Sequence, residues 1–341
     1  MEELVNRELQ INIHPNDHKH FEPLLRHQIN VWGKEIDRVR LTLDLHNSES
    51  GRYRSETFSD NLRTMRSIIS KVSQDFSFIT VDEVDTSPET RNKIAKKFFN
   101  RDDIPIKAWD GGPFYSYLFG LWKARGKTII HMDSDMMFGG LSHTWICEAE
   151  EILDTDPNVI FVAPLSGPPH PGGLLIGHGL RPGIPAEPYK RPASYTFHTV
   201  STRIFVTRPD LIDSRIGHFE WLSPGPSKRF KAFLLGNPPL SREFEVVLSH
   251  TMQKRGLIRV DHHGNESGMW SLHPPFRTAQ FYSDLPGIIR RVETGDMPDE
   301  QLGRYDLHDS ICDWSVPRRN NAKVRRIFRQ VSRAVQRQLI S

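Results

Sequence analysis

Residues 128 to 138 read TIIHMDSDMMF, an apolar run that ends in two aspartates one residue apart, Asp133 and Asp135, and then turns apolar again. Two carboxylates this close repel each other unless solvent, protonation or a cation intervenes. A divalent cation is the simplest answer. Hard oxygen ligands suit magnesium or manganese, and magnesium usually keeps waters and completes its shell with one or two carboxylates and substrate phosphate oxygens. The pair therefore predicts a metal-diphosphate site. A solvated turn could also hold two acids, but the apolar residues on both sides argue against it. A calcium-binding EF-hand loop starting at Asp133 fails, because Phe138 and Thr144 stand where glycine and glutamate are required.

The elements that must present this pair alternate in character. LQINIHP, RVRLTLDL, FSFITVDEV and TIIHMDSD are strand candidates rich in branched and aromatic residues. Between them FEPLLRHQINVWGKEI, ETFSDNLRTMRSIISKVSQ and PFYSYLFGLWKARG carry apolar residues at helical spacing. Repeated βα units predict an α/β fold with a doubly wound, mostly parallel sheet flanked by helices. Ligands in such sheets bind beyond the carboxyl ends of the strands, where Asp17, Asp44, Asp82 and Asp133 all fall. Residues 163 to 193 are dense in Gly and Pro and predict an irregular, functional segment. STRIFVTRPDLI and LIRVDHHG then read as strands, and SREFEVVLSHTMQKRG as a helix closed by Gly256.

A chain of 341 residues holds one large domain or two smaller ones, and a net charge of +3 does not suit a nucleic-acid binder. Cys147 and Cys312 belong to no CxxC or Cys/His spacing, so no disulfide framework is implied. The start, MEELVNRELQ, lacks a signal peptide's basic and apolar regions, and no apolar run approaches the ~20 residues of a membrane span. The expected location is cytoplasmic, soluble or peripheral on the inner face of the membrane. After Asp313 the chain has no acid, and Val324, Ile327, Phe328, Val331, Val335 and Leu339 recur at helical spacing among arginines. Residues 322–340 thus read as a basic amphipathic helix, suited either to an anionic membrane surface or to docking on its own domain.

With its alternating first half, the strand ending in Asp133-Ser134-Asp135 and a later acidic helix, the chain resembles a glycosyltransferase of the GT-A fold, family 2-like. The resemblance covers about residues 9 to 275, and its one sharp motif is the Asp-x-Asp segment. It implies a GT-A domain over 1–310, with a nucleotide-sugar half at about 9–140 and an acceptor half at 141–275, followed by the basic tail 311–341. It further implies a nucleotide-sugar donor, UDP- or GDP-linked, a Mn2+ or Mg2+ cofactor, and a glycan, lipid-linked or small-molecule acceptor. Carried onto this chain, Asp135 is the metal ligand and Asp133 contacts the metal, ribose or sugar, with Ser134 between them. His273 in MWSLHPPF completes the metal shell, with His262 and His263 as alternatives. The family's acidic helix start, an apolar stretch closed by glycine, matches Glu243-Phe244-Glu245 through Gly256. Glu245 falls on the catalytic-base position with Glu243 as competitor, although Phe244 replaces the usual first acid. Pro15, Asp17 and Asp44 match the nucleotide pocket, Asp82 or Glu83 adds to it, and Lys107, Asp110, Gly111 and Gly112 face the donor.

Gln301-Leu302-Gly303-Arg304-Tyr305 is similar to the Gln-x-x-Arg-Trp of processive synthases, but the membrane helices of those enzymes have no counterpart here. Three other readings compete with an inverting transferase. A retaining GT-A enzyme would need no side-chain base. A haloacid-dehalogenase-like phosphatase would use the first Asp as nucleophile, against which stand Met137 in place of Thr or Val and the late position of the motif. An inactive transferase fold would serve as a binding or scaffold protein.

Overall fold

The structure, a computed structural model, describes residues 5–48, 54–176 and 186–320. The first half alternates as the apolar pattern predicts: β1 (Val5–Ile13), α1 (His18–Trp32), β2 (Arg38–Leu43), α2 (Phe58–Asp75), β3 (Ile79–Glu83), α3 (Pro88–Phe99), α4 (Tyr115–Lys123) and β4 (Gly126–Asp133). Helix α3 is not among the predicted helices, although its punctuation is present. The Ser87 side chain accepts from the Thr90 N–H, Pro88 opens the first turn, and Asn100 closes the helix in the left-handed region at φ 52°.

The second half holds β5 (Met137–Gly139), α5 (Trp145–Thr155), β6 (Val159–Ser166), β7 (Glu187–Pro188), β8 (Ser194–Phe197) and β9 (Ile204–Thr207). There follow α6 (Pro209–Leu211), running into a π-helical turn over Ile212–Ile216, then α7 (Pro226–Leu234), α8 (Phe244–Arg255), β10 (Ile258–His262), β11 (Trp270–Leu272), α9 (Ala279–Thr294) and α10 (Ser315–Asn320). Residues 163–166 of the predicted irregular segment belong to β6, every residue of which is buried. A strand covered on both faces reads as one apolar run and shows no alternation. Residues 177–185 of that segment, and the predicted helix 322–340, lie outside the described residues.

The main sheet runs β3-β2-β1-β4-β9-β6-β10-β8-β7. Its first four strands are parallel, β9 enters antiparallel between β4 and β6, and β10 returns parallel to β6. The sheet is thus mixed and mostly parallel in strand direction. β11 continues alongside the end of β6 and pairs antiparallel with β5. Register sets the site: Asn12 near the end of β1 lies opposite Asp133 at the end of β4, so the two following turns are neighbours. A second apolar cluster joins α9, through Phe281, Leu285, Ile288 and Val292, to fully buried Trp314. Trp314 thus packs onto the same body as α9.

Below this edge, β2 carries a buried ion network. Arg40 Nε donates to Glu8 Oε1 at 2.7 Å, and Arg40 also pairs with Asp82. Glu8 is fully buried, so removing its partner strands a charge. Replacing Arg40 with Leu is expected to lower unfolding free energy by about 3–5 kcal/mol. Urea denaturation measures this through the midpoint at unchanged slope, and a loss under about 1 kcal/mol would show that Glu8 finds another partner.

Candidate active site

The turn after β4 is tied to the turn after β1. Pro15 opens a short 3-10 turn, Pro15–Asp17, in which the His14 N–H donates to Asp17 Oδ2 at 2.9 Å and the Asn16 N–H donates to His14 Nδ1 at 3.2 Å. Asp17 thereby faces the Asp-x-Asp turn, and Ser134 Oγ donates to its Oδ2 at 3.0 Å. Asp133 is oriented by the Tyr117 hydroxyl, which donates to Oδ1 at 3.0 Å, and its own N–H donates to the Arg203 carbonyl. Asp135 is fully buried. Its Oδ2 accepts from Arg277 Nε at 3.0 Å and lies 3.3 Å from His273 Nε2. His273 is held from behind, with Nδ1 3.1 Å from Asp306 and its ring stacked on Tyr305 at 5.8 Å between centroids.

The two carboxylates have been driven apart in acidity. Burial first, and then the charge of Asp135, push Asp133 up to about 7. Burial acts on Asp135 in the same direction, but the Arg277 guanidinium and His273 outweigh it and hold that carboxyl well below the usual range. The pair shares the repulsion between one reluctant acid and one committed carboxylate.

The donor chemistry of this cluster suits a divalent cation. Oδ1 of Asp135 is buried with no hydrogen-bond partner among the described residues, an unusual state for a carboxylate oxygen. The His273 ring, backed by the Asp306 carboxylate, has the arrangement that orients metal-binding imidazoles. Among the described residues no three acidic, His or Cys side chains form a closed cage. A cation here would draw further oxygens from water or a bound diphosphate, as magnesium commonly does.

A cleft of about 750 Å³ opens in front of these groups. It brings together Asp17, Asp44, Lys107, Asp110, Gly111, Gly112, Asp133, Ser134, Glu243, Glu245 and His273 from the sequence-predicted residues. Asp44 and Lys107 pair with each other there at 2.6 Å, both buried. Burial alone would raise the Asp44 carboxyl, and the Lys107 charge keeps it below its ordinary value. Gly111 has φ +83°, which favours glycine, while the Asp110 side chain accepts from the Gly112 N–H at 3.0 Å. Pro15 is buried beneath its turn and does not line the cleft.

Asp82 is a correction. It stands on β3 outside the cleft, where Arg40 and, at 3.7 Å, Lys123 hold it, so its role is in the ion network below the sheet edge. Neighbouring Glu83 is likewise turned to Arg66. His262 and His263 also fall outside: His262 Nε2 is 3.0 Å from Glu148, and neither ring lines the cleft. Gln301 is fully buried, donating to the carbonyls of Arg304 and Asp306, so this segment braces the stretch bearing Tyr305 and Asp306, which in turn backs His273.

Helix α8 presents the two glutamates differently. Glu243 is the N-cap residue and accepts from Arg242 Nε at 2.9 Å. Burial opposes ionisation, but backbone N–H donation and Arg242 prevail and lower its carboxyl. Glu245, in the first turn, opens into the cleft without an ion pair to a neighbouring lysine or arginine among those described. Its residue surface is solvent-exposed, and only the partial enclosure of its carboxyl by the cleft, opposed by the nearby Arg203 charge, raises that carboxyl above the ordinary glutamate value. Among the cleft residues that escaped the sequence reading are Tyr117, Arg203 and Arg277. Tyr117 sits on a predicted helix, and only the packing of α4 against the sheet at β1 and β2 brings its hydroxyl to Asp133.

No protein-family model matches the chain, and no curated protein does. Solved structures similar to it include the mannosyltransferase PcManGT from Pyrobaculum calidifontis in complex with GDP-Man and Mn2+, at 11% identity and TM-score 0.33 over 71% of this chain and 56% of that one. S. aureus TarS is similar at 10% identity and TM-score 0.37, over 86% of this chain and 41% of that one. The galactosyltransferase LgtC, in complex with donor and acceptor sugar analogues, is similar at 11% identity and TM-score 0.33, over 86% of this chain and 98% of that one. The chain thus spans about half the length of the first two. At these scores and identities the likeness assigns neither substrate nor activity to this chain.

Proposed function

We propose that the protein is a glycosyltransferase of the GT-A type, moving a hexosyl group from a nucleotide-sugar to an acceptor hydroxyl with the help of a divalent cation. The observation that carries this reading is Asp135, a fully buried carboxylate with one unpartnered oxygen in the turn after β4, set behind His273 and Arg277, which with Asp133 line a cleft large enough for a nucleotide-sugar. Asp135, Asp133 and His273 would hold Mn2+ or Mg2+, which supplies Lewis-acid neutralisation of charge on the departing nucleoside diphosphate. Tyr117 keeps Asp133 aimed at the cleft, and Arg203 and Arg277 add fixed positive charge beside the carboxylates. The Asp44–Lys107 pair and the Gly111 turn form a wall suited to the nucleoside, where backbone comes close to a ligand. Across the cleft Glu245 would take the proton from the acceptor hydroxyl as it attacks the anomeric carbon, which inverts that centre.

The donor is a UDP- or GDP-sugar in this reading, and the acceptor a glycan, a lipid-linked sugar or a small molecule. No helix among the described residues is long and apolar enough to cross a membrane. A cytoplasmic protein, peripheral on the inner membrane face through residues 322–340, remains part of the proposal.

The test is nucleotide-sugar turnover by protein stripped with EDTA. UDP- and GDP-hexoses should release nucleoside diphosphate only when Mn2+ or Mg2+ is restored, slowly with water and faster with a suitable acceptor. Cleavage of p-nitrophenyl phosphate with no action on any nucleotide-sugar would instead mark a phosphatase.

A further inference from the structure

Helix α7 turns its apolar residues outward. Phe230, Phe233 and Leu234 are 65%, 76% and 49% exposed, and Leu240 in the following loop is 54% exposed. These are four of the eight large apolar side chains exposed among the described residues, gathered within eleven positions. Phe230, Phe233 and Leu234 stand at i, i+3 and i+4, so they share one face, while Ala232 on the opposite face is fully buried. The helix is therefore docked by its small residue and displays its large ones.

Its flanks are basic. Lys228, Arg229, Lys231 and Arg242 are the charged residues between Glu220 and Glu243, with no acid among them. Lys228 and Lys231 lie 4.9 and 5.4 Å from the centre of the Trp109 ring, and Lys228 is 3.6 Å from Glu243. That flank is anchored to the wall of the cleft. Exposed Arg229 leaves the other side of the helix, its Nε donating to the Pro224 carbonyl at 2.9 Å.

We propose that α7 is an interfacial helix that seats the mouth of the cleft against an anionic phospholipid surface. An outward apolar face bordered by cations, on a helix of nine residues, suits insertion to headgroup depth and is far too short to span. The positive border favours anionic lipid over neutral lipid. A second copy presenting the same face would bring these basic residues against their own kind, and like charges oppose that contact. Lys228 bonds this surface to the same wall as Glu243, so docking would present the cleft to molecules held in the membrane. The inference does not depend on the transferase reading, because its tests involve no turnover.

Co-sedimentation of the full chain with phosphatidylcholine vesicles, with and without phosphatidylglycerol, provides the first test. Binding should require phosphatidylglycerol and weaken in high salt. The Phe230→Ser/Phe233→Ser double variant should partition about tenfold less well, with an unchanged melting temperature because both side chains are exposed. Arg229→Glu should weaken binding as well. Because the basic tail could hold the chain to vesicles by itself, contact is read separately. Phe233→Cys carrying an NBD fluorophore, in a Cys147→Ser background with the remaining Cys312 buried, should brighten and shift to the blue on anionic vesicles. An NBD signal indifferent to anionic vesicles overturns the proposal, whichever way the double variant partitions. So does a blue shift without lipid accompanied by a dimer's mass, which would give this face to a second copy.

Discussion

Replacing Asp135 with Asn is expected to abolish metal-dependent turnover, by about a thousandfold or more, while leaving the fold intact. The loss follows from the role: a cation that neutralises a leaving diphosphate contributes several kcal/mol to the transition state, and each 1.4 kcal/mol is about tenfold in rate. The intact fold follows from the neighbours. Arg277 loses its partner but is 42% exposed at the side chain and turns to water. Asp133, held up to about 7 by burial and by the Asp135 charge, is relieved of the second of these. Initial rates with Mn2+ and a thermal melt of the stripped protein measure both halves. Turnover within tenfold of wild type would remove Asp135 from the machinery, and a collapsed melt would make it structural.

The second large effect concerns Glu245. Glu245→Gln is expected to cost about 10²- to 10⁴-fold in kcat, the usual range for a positioned general base. The pH profile carries the sharper signature. Partial enclosure by the cleft raises this carboxyl, and a base works only when deprotonated, so wild-type activity should fall as pH drops through a value above the ordinary glutamate range. In the Gln variant that acid limb should disappear from the residual rate. Glu243→Gln should change little, since Arg242 holds that carboxylate ionised and engaged. If Glu245→Gln retained most of its activity and the product kept the donor's anomeric configuration, Glu245 would be a wall residue of a retaining enzyme.

What could be read from the sequence was local. Asp133 and Asp135 stand one residue apart behind an apolar strand, and helix α8 carries both its acidic start and its closing Gly256, so each announces itself within a dozen residues. The parallel half of the sheet was legible because each strand and its helix keep their own period. Strand β6 was not, because a wholly buried strand running into a Gly- and Pro-rich segment loses its alternation. Asp82 shows the opposite failure. At the end of a strand it is indistinguishable in sequence from Asp44, and only the neighbouring β2 reveals that Arg40 has claimed it. Arg277 reaches Asp135 across 142 residues, from the loop between β11 and α9, and no spacing rule joins them.

Arg277 also shapes what metal binding must do. It occupies one oxygen of Asp135 while the other stands buried and unpartnered, so cation and diphosphate would have to arrive at a carboxylate already half engaged. Cooperation between metal and nucleotide is the natural consequence. The most direct measurement is the melting temperature of EDTA-stripped protein with a UDP- or GDP-hexose, with Mn2+, and with both, because a ligand that binds only the native state stabilises it in proportion to its saturation. The prediction is a rise of several degrees with metal and nucleotide-sugar together, exceeding the sum of the separate rises, and its loss in Asp135→Ala. An equal rise in Asp135→Ala, or a nucleotide-sugar effect indifferent to metal, would contradict the account.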